Sequence, residues 1–268
     1  MKRKLVNLLA AVLVIGCFSS CSQGDGPLPS NTYVLIHGAW QAPYVWQTVK
    51  QQLENKGQNV VVVELPAHGD DFTSPAVVSI NTYRDKVIDA ISKIKGKVIL
   101  VGHSMGGVVV SAVADKIPLK IRKLVYIGAF LPANGQSLLD LALQDTQSLL
   151  GPSLIPSKDQ LTLDLVRENI VSIFCQDASD EIKKLVVDKF RVEPAIPFAN
   201  KISLSQASFG KVNKYYIRTT EDHAIGLNLQ NQMLNAAQIT NVYSLSSGHC
   251  PFLSQPENVT GLLLAIGK

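Results

Sequence analysis

The stretch VGHSMGG, residues 101–107, places a serine between glycines directly after the apolar run KVILV. Gly102, Ser104 and Gly106 fit the pattern G-x-S-x-G, in which the serine lies on a sharp turn between a strand and a helix. The turn leaves no space for neighbouring side chains, which explains the glycines, and it exposes the hydroxyl. Because a free hydroxyl is a weak nucleophile, the pattern predicts catalysis by Ser104 only if a base accepts its proton.

A histidine in a late loop is expected to be that base, and His249 in SSGHCPF follows the last predicted strand, as required. The other histidines are less well placed. His37 is expected to shape the loop after the first strand, and His68 to lie in the surface turn LPAHGDD. His103 is inside the serine turn itself, and His223 follows the wrong strand. His249 is therefore the predicted base.

The histidine in turn needs an acid that fixes its tautomer and stabilises the imidazolium formed when it takes a proton. The segment RTTEDHAI follows the preceding predicted strand and offers two acids, Glu221 and Asp222. Asp222 is the predicted acid and Glu221 is the alternative. The chain order of serine, acid and histidine is then Ser104, Asp222, His249.

A tetrahedral intermediate on Ser104 would carry a negative oxygen, which backbone N–H groups can stabilise. One donor is expected from Met105, the residue after the serine, and another from the loop HGAW after the first strand. In that loop, Gly38 allows close approach of the backbone and Ala39 would present its N–H. These residues form the predicted oxyanion hole.

Apolar, β-branched runs separated by helical patterns predict the elements that position these residues. Strands are predicted at 32–37, 59–65, 97–102, 121–130, 214–220 and 240–245. Helices are predicted at 45–56, 80–94, 105–116, 227–237 and 259–266. Continuous apolar strands that alternate with helices predict an α/β fold with a mainly parallel sheet of about six strands and helices on both faces. Functional groups in such folds collect at the carboxyl ends of the strands.

The alternation stops between about residues 132 and 206. Three stretches there are predicted to form short helices: LLDLALQ, LDLVRENIVSIF and DEIKKLVVDKF. An insertion of this length favours a helical cap over the site rather than a structureless loop. An independent helical subdomain without a role in the site is the alternative.

The N-terminus has the features of an export signal. Residues 1–20 contain a basic start and an apolar run that is short for a membrane span. They resemble a bacterial lipoprotein signal, with Cys21 as the lipidation site and Cys17 as a second candidate, and residues 21–31 are expected to be a flexible tether. An exported bacterial protein, anchored to a membrane on the periplasmic or cell-surface side, is therefore expected.

Charge and cysteine content limit the other possibilities. The chain has 25 basic and 21 acidic residues, and loss of Lys2, Arg3 and Lys4 with the signal would leave 22 against 21. This balance gives no indication of a nucleic-acid partner. Beyond the signal region only Cys175 and Cys250 remain; they could pair, but their spacing does not establish it. No metal-binding pattern is visible in the sequence, and no metal is expected.

These motifs together resemble those of α/β-hydrolases. Within that superfamily the chain is similar to the branch of plant methylesterases, salicylate-binding esterases and hydroxynitrile lyases, with their bacterial esterase relatives. The resemblance runs from about Thr32 to the C-terminus and rests on VLIHGAW, LPAHGDD, VGHSMGG, VRENIVSIFCQD, YYIRTTEDHAI and GHCPFLSQPENV. It implies an α/β-hydrolase domain over 32–268, a triad of Ser104, Asp222 and His249, oxyanion donors at Ala39 and Met105, and no cofactor.

Two positions depart from the lyases of that branch, which carry a threonine where this chain has Gly38 and a lysine where it has Cys250. Without them the site should favour ester hydrolysis, with Cys250 in the pocket wall. The predicted function is a serine carboxylesterase that cleaves small esters with an apolar part through an acyl-enzyme. A hydroxynitrile-lyase-like C–C lyase, or a protein that binds or senses a small molecule with little turnover, is the alternative.

Overall fold

A computed structural model describes residues 30–268 of the chain. Several predicted features lie outside the described residues, so they stay predictions: the signal peptide (1–20), both candidate lipidation sites (Cys17 and Cys21) and residues 22–29 of the tether. Asn31 is already buried, and its backbone N–H donates to the side chain of Gln58. None of the helices within 30–268 is long and apolar enough to cross a membrane.

Six strands form the central sheet. They are β1 (Thr32–Ile36), β2 (Asn59–Val63), β3 (Val98–His103), β4 (Ile121–Ile127), β8 (Lys214–Thr219) and β9 (Val242–Leu245). Their order is β2-β1-β3-β4-β8-β9, and every neighbouring pair is parallel. The predicted α/β fold with a parallel sheet of about six strands is confirmed. The strands are β-branched and apolar because a sheet covered on both faces buries both sets of alternating side chains.

Helices cover the sheet. The longer ones are α1 (Gln47–Asn55), α2 (Ile80–Ser92), α3 (Gly106–Lys116), α9 (Leu227–Ala237) and α11 (Pro256–Gly267), and a short α10 (Pro251–Ser254) precedes the last. Helix α1 packs against α11, and α2 packs against α3. A capping box fixes the start of α2, since Ser79 and Thr82 each accept from the other's backbone N–H.

The insertion between β4 and β8 contains more than helices; we call residues 132–206 the cap. Its elements are α4 (Leu138–Ala142), α5 (Leu150–Ser153), β5 (Leu154–Pro156), β6 (Thr162–Leu165), α6 (Ile170–Phe174), α7 (Asp180–Asp188), β7 (Glu193–Pro194) and α8 (Ile196–Ala199). Strands β5, β6 and β7 form an antiparallel sheet. The expected helix over LDLVRENIVSIF is therefore wrong in its first part, where strand pairing in β6 replaces it.

The registers place the ends of neighbouring strands together. Ile36 pairs with Gly102 across β1 and β3, so the loops that begin at His37 and at Ser104 start side by side. Thr219 pairs with Leu245 across β8 and β9, which aligns the two loops that follow. All these loops leave from the carboxyl edge of the parallel sheet, where such folds hold their functional groups.

The junction of β3 and α3 depends on close backbone approach. A β-carbon at Gly102 would lie 2.6 Å from the carbonyl oxygen of Gly106 and 2.8 Å from a methyl group of Val110. A β-carbon at Gly106 would lie 2.8 Å from the carbonyl oxygen of His37. These distances are shorter than van der Waals contact, so the turn between β3 and α3 requires glycine at both positions.

Replacing Gly102 by alanine should destabilise the fold. We expect Gly102→Ala to lower the free energy of unfolding by about 1–3 kcal/mol, because the added methyl group must push α3 away from β3. The matched control is Gly261→Ala in the exposed face of α11, where a β-carbon meets nothing within 4 Å. That change should raise stability by up to about 1 kcal/mol through helix propensity. Urea unfolding of both variants tests this, and a Gly102→Ala protein as stable as the unmodified chain would contradict it.

Candidate active site

Ser104 occupies the turn between β3 and α3 in a backbone conformation that is rare for a residue with a side chain. Its φ is 53°, in the left-handed region, and its residue surface is 8% exposed. The carbonyl of Ser104 accepts from the N–H of Gly107 and of Phe130, at 3.0 and 3.1 Å, which holds the turn. A non-glycine residue in this region stores strain, a feature that clusters at functional sites.

His249 lies in the loop after β9, fully buried, and its two ring nitrogens have different surroundings. Nδ1 lies 2.8 Å from Oδ2 of Asp222. Nε2 is buried and has no hydrogen-bond partner within residues 30–268. Because a carboxylate only accepts, Nδ1 carries the proton and Nε2 of the neutral ring has a free lone pair. That is the tautomer a proton acceptor for a serine hydroxyl needs.

His103 ties this loop to the serine turn. Its Nε2–H donates to the backbone carbonyl of His249 at 2.9 Å, and the two rings lie 4.5 Å apart between centroids. Since His103 directly precedes Ser104 in the chain, this bond holds the histidine loop against the serine turn. The structure thus holds the His249 loop against the residue that precedes Ser104, through a histidine that was not predicted to have this role.

Of the two acids in the loop after β8, the structure brings Asp222 to His249. Its Oδ1 accepts from the N–H groups of Ala224 and Ile225, both at 2.8 Å. Its Oδ2 accepts from the Thr219 hydroxyl at 2.6 Å and from His249. Four donors around one buried carboxylate fix its orientation.

Glu221 faces away from His249. Its side chain is exposed and accepts from the hydroxyl of Ser246, while its backbone carbonyl accepts from the Gln176 side chain of the cap at 2.7 Å. His223, the other histidine of this segment, donates from Nδ1 to the carbonyl of Ser172 in the cap at 2.7 Å. Both neighbours of Asp222 therefore hold the cap to the sheet.

The expected oxyanion donors lie on either side of Ser104. A β-carbon at Gly38 would lie 2.7 Å from Cβ of Ser104, so the loop after β1 passes in direct contact with the serine. Ala39 and Met105 are both buried, and neither N–H donates to another group within residues 30–268. Two buried N–H groups without partners next to a serine are suited to stabilise a negative oxygen.

Two buried histidines shape the loop after β1, one as expected and one not. His37 donates from Nδ1 to the carbonyl of Gly38 at 2.8 Å and accepts from the Leu65 N–H at 3.2 Å. His68, expected in a surface turn, is instead only 2% exposed, and its Nε2 lies 2.8 Å from Oε2 of Glu193 in the cap. The surface placement was wrong because β7 of the cap covers the turn. Sequence reasoning missed Glu193 altogether.

An aromatic cluster lies beside His249, and a thiol follows His249 in the chain. Trp40 lies 5.9 Å from Phe174 and 5.6 Å from Phe198 between ring centroids, and Phe174 lies 5.8 Å from the ring of His249. Cys250 is fully buried, and its thiol accepts from the Gln41 side chain at 3.0 Å. Burial holds the pKa of Cys250 well above its usual value, which keeps the thiol protonated. This wall is largely apolar.

Cys175 is also buried, and neither it nor Cys250 forms a disulfide in the structure. Burial, reinforced by the charge of Asp177, raises the pKa of Cys175 to about 11. Within residues 30–268 no group of three or more histidine, cysteine, aspartate or glutamate side chains could hold a metal ion. A surface groove of about 590 Å³ at the base of the cap is lined by residues such as Gln144, Phe209 and Met233 and by none of the triad.

Comparison with known proteins assigns the chain to a family. Residues 33–262 match the family described as "Alpha/beta hydrolase family", and the chain belongs to it. It is 33% identical over 257 residues to the Arabidopsis thaliana protein "Putative methylesterase 11, chloroplastic". That match covers 90% of this chain and 65% of the relative, so the chain spans about two thirds of the relative's length.

Two further likenesses cover whole proteins. The α-hydroxynitrile lyase of Arabidopsis thaliana is 28% identical over 262 residues, covering 87% of this chain and 96% of the lyase. The crystal structure of polyneuridine aldehyde esterase is 23% identical, with a TM-score of 0.77 over 89% of this chain and 100% of the esterase. At that identity the structural match establishes the fold. The predicted resemblance to the branch of methylesterases and hydroxynitrile lyases is confirmed.

Two fully buried neutral histidines should make the fold sensitive to acid. Burial, with the charge of His68 as a smaller cause, lowers the pKa of His37 to about 3. Burial, followed by the neighbouring His249, also lowers the pKa of His103 well below its usual value. In the unfolded chain both should titrate near pH 6.5. Below that pH the unfolded state binds protons that the folded state does not bind, so the free energy of unfolding falls as the pH falls.

We therefore expect the free energy of unfolding to decrease from about pH 6 to pH 5, with a slope that approaches two protons, or roughly 2–3 kcal/mol per pH unit, because near pH 5 His68 is protonated in both states and its raised pKa opposes the decrease only near pH 7. Urea unfolding across this range measures the slope. His103→Gln should reduce it by about one proton, because that position then no longer titrates. A stability that stays constant from about pH 6 to pH 5 would show that these histidines are not held neutral by the fold.

Proposed function

We propose that the protein is a serine carboxylesterase, with Ser104 as nucleophile, His249 as general base and Asp222 as the orienting acid. The observation that carries this proposal is the state of His249. One ring nitrogen donates to a carboxylate that three further donors hold, and the other is free and buried, in a loop that His103 holds against the serine turn. The likeness to a putative methylesterase supports the same chemistry.

The proposed reaction has two halves. Oγ of Ser104 attacks the ester carbonyl carbon while Nε2 of His249 takes the hydroxyl proton. The carbonyl oxygen becomes an oxyanion, which the N–H groups of Ala39 and Met105 stabilise. The bond to the alcohol then breaks, and the alcohol leaves with the proton from Nε2. Water, deprotonated by His249, attacks the acyl-enzyme, and the acid is released as the Ser104 hydroxyl forms again.

The surroundings favour a small ester with an apolar part. Trp40, Phe174 and Phe198 form an aromatic wall beside His249, and the neutral thiol of Cys250 adds no charge. Burying an apolar acyl or alcohol group against such a wall contributes about 25 cal/mol per Å² of apolar surface. The low exposure of Ser104, at 8%, favours substrates small enough to fit under the cap.

The alternative of C–C lyase chemistry has less support. The similarity to α-hydroxynitrile lyase is substantial. However, departing cyanide needs a cation, and position 250 presents a neutral thiol in a buried setting. A side chain at position 38, where the lyases resembled by this sequence carry threonine, would collide with Ser104 at 2.7 Å. Both observations favour hydrolysis.

Hydrolysis of p-nitrophenyl acetate and butyrate by four purified full-length proteins tests the proposal: unmodified, Ser104→Ala, Asp222→Asn and Glu221→Gln. Ser104→Ala should abolish turnover. Asp222→Asn should lower kcat by on the order of 10³–10⁴-fold. The N–H groups of Ala224 and Ile225 hold the amide oxygen, so the amide nitrogen faces Nδ1 of His249 and forces its proton onto Nε2. Glu221→Gln, next in sequence but turned away, should keep kcat within about twofold.

A folded unmodified protein that hydrolyses neither ester would contradict the esterase proposal. Cyanohydrin cleavage would then be measured. Turnover that survives in Ser104→Ala would exclude Ser104 as nucleophile. A loss in Glu221→Gln as large as that in Asp222→Asn would show that the acid was assigned to the wrong residue.

A further inference from the structure

Glu193 is a fully buried carboxylate that the proposed chemistry does not use. It belongs to β7 of the cap, and its Oε2 accepts from the backbone N–H of Trp40 at 2.7 Å and from Nε2 of His68 at 2.8 Å. Its Oε1 has no hydrogen-bond partner within residues 30–268. Burying an ionised carboxylate costs several kcal/mol unless other groups compensate, so Glu193 would destabilise the fold without a partner for its charge.

His68 compensates the charge. Its Nδ1 lies 2.9 Å from the carbonyl of Pro66 and its Nε2 faces Glu193, and both partners are acceptors. Each ring nitrogen therefore carries a proton, and the pair is an imidazolium with a carboxylate. Burial alone would lower the pKa of His68, but the charge and hydrogen bond of Glu193 outweigh it and the pKa is raised.

The pair acts on the backbone around Ala39. The peptide group between Gly38 and Ala39 contains both the Gly38 carbonyl and the Ala39 N–H, which point in opposite directions in a trans peptide. His37 donates to that carbonyl at 2.8 Å, which fixes the direction of the Ala39 N–H from one side. The next peptide group contains the Trp40 N–H, which Glu193 holds. Ala39 thus lies between two anchored peptide groups, one anchored by the sheet and one by the cap.

This anchoring is needed because the loop is strained at Trp40. Its φ is 58°, in the left-handed region, at a cost of about 1–3 kcal/mol for such a residue. Both hydrogen bonds that hold Trp40 come from the cap, since its Nε1–H donates to the carbonyl of Leu163 in β6 at 2.9 Å. Without the cap contacts, the loop would release this strain if Trp40 left the left-handed region. The Ala39 N–H would then turn with it.

We propose that Glu193 is a positioning residue that aims the Ala39 N–H at the oxyanion, so that the cap completes the oxyanion hole. This inference rests on the proposed function, because it assigns Ala39 as a donor to the reaction intermediate. It follows that Glu193 acts mainly in the transition state. The ester carbonyl gains its negative charge only there, and a misdirected N–H should therefore lower kcat more than it changes KM.

Three variants of the full-length protein separate positioning from attachment of the cap. Glu193→Met removes the acceptor for the Trp40 N–H at similar volume. Glu193→Gln retains one oxygen that can accept from Trp40 but loses the charge opposite His68. Asn200→Ala is the matched control, because the Asn200 side chain joins the cap to the sheet domain elsewhere, by accepting from the N–H of Ile80 at 3.1 Å.

With p-nitrophenyl butyrate we expect Glu193→Met to lower kcat by about 10–100-fold, somewhat less than the loss of a whole oxyanion donor. KM should stay within about threefold. Glu193→Gln should recover part of this loss, with a kcat about 3–10-fold below that of the unmodified protein. Asn200→Ala should keep kcat within about twofold. Phenylboronic acid forms a tetrahedral adduct with an active serine, and its affinity should fall in the same order as kcat.

The inference is overturned if folded Glu193→Met keeps the kcat of the unmodified protein, or if Asn200→Ala loses as much as Glu193→Met. If Glu193→Met does not fold, Glu193→Gln decides: a kcat equal to that of the unmodified protein overturns the inference. Failure of the proposed function is distinguishable, because it would appear as no turnover by the unmodified protein or as turnover that survives Ser104→Ala. In that case the inference falls with it.

Discussion

The close packing of β1, β3 and α3 around Ser104 is the constraint on which the rest of the site depends. The serine takes a left-handed backbone conformation, with φ of 53°, at the point where the chain reverses from strand to helix. That reversal is possible only where neighbouring positions lack a β-carbon, as the 2.6 Å and 2.7 Å approaches at Gly102 and Gly38 require. The approach at Gly38 brings the loop after β1 against the serine, so that Ala39 follows directly after the point of contact.

Protons in this site are assigned by the partners of each buried group rather than by exposure to solvent. Asp222 is surrounded by donors, so its partner nitrogen on His249 must carry a proton and the other nitrogen is free to accept one. His37 donates to one carbonyl and accepts one N–H, which keeps it neutral. His68 faces two acceptors and is charged. His37 and His249 thus each carry one proton, on Nδ1, whereas His68 carries a proton on both ring nitrogens, and in each case the hydrogen-bond partners set the pattern.

Much of the fold and of the candidate site could be predicted from sequence because it depends on local patterns. The central strands, the helices between them and the serine turn follow from apolar periodicity and from glycines next to Ser104. Asp222 was the predicted acid and Glu221 the alternative, but local patterns could not supply the physical reason, which is that the carboxylate of Asp222 meets the N–H groups of Ala224 and Ile225. The sequence holds both acids side by side and gives no geometric reason to prefer either.

The cap was the least predictable part. The segment 162–165 has apolar residues that suit a helix as well as a strand, and only its pairing with β5 and β7 decides between them. Glu193 and His68 are 125 residues apart, so no local pattern connects them. The sequence does contain both partners, since LPAHGDD offers a histidine in a loop at the carboxyl edge of the sheet. A completely buried acid needs such a partner, but the sequence alone does not show that Glu193 is buried. Burial, which is a tertiary property, was the missing information.

The central claim is that Ser104 is a nucleophile activated by His249, and covalent labelling tests it most directly. Diisopropyl fluorophosphate reacts with an activated serine, whose oxygen bonds to phosphorus as fluoride leaves. We expect one diisopropylphosphoryl group per chain, found on Ser104 by peptide mass spectrometry, and none in a His249→Ala protein, which lacks the base. An unlabelled protein, or a label on another residue with Ser104 unmodified, would contradict the account.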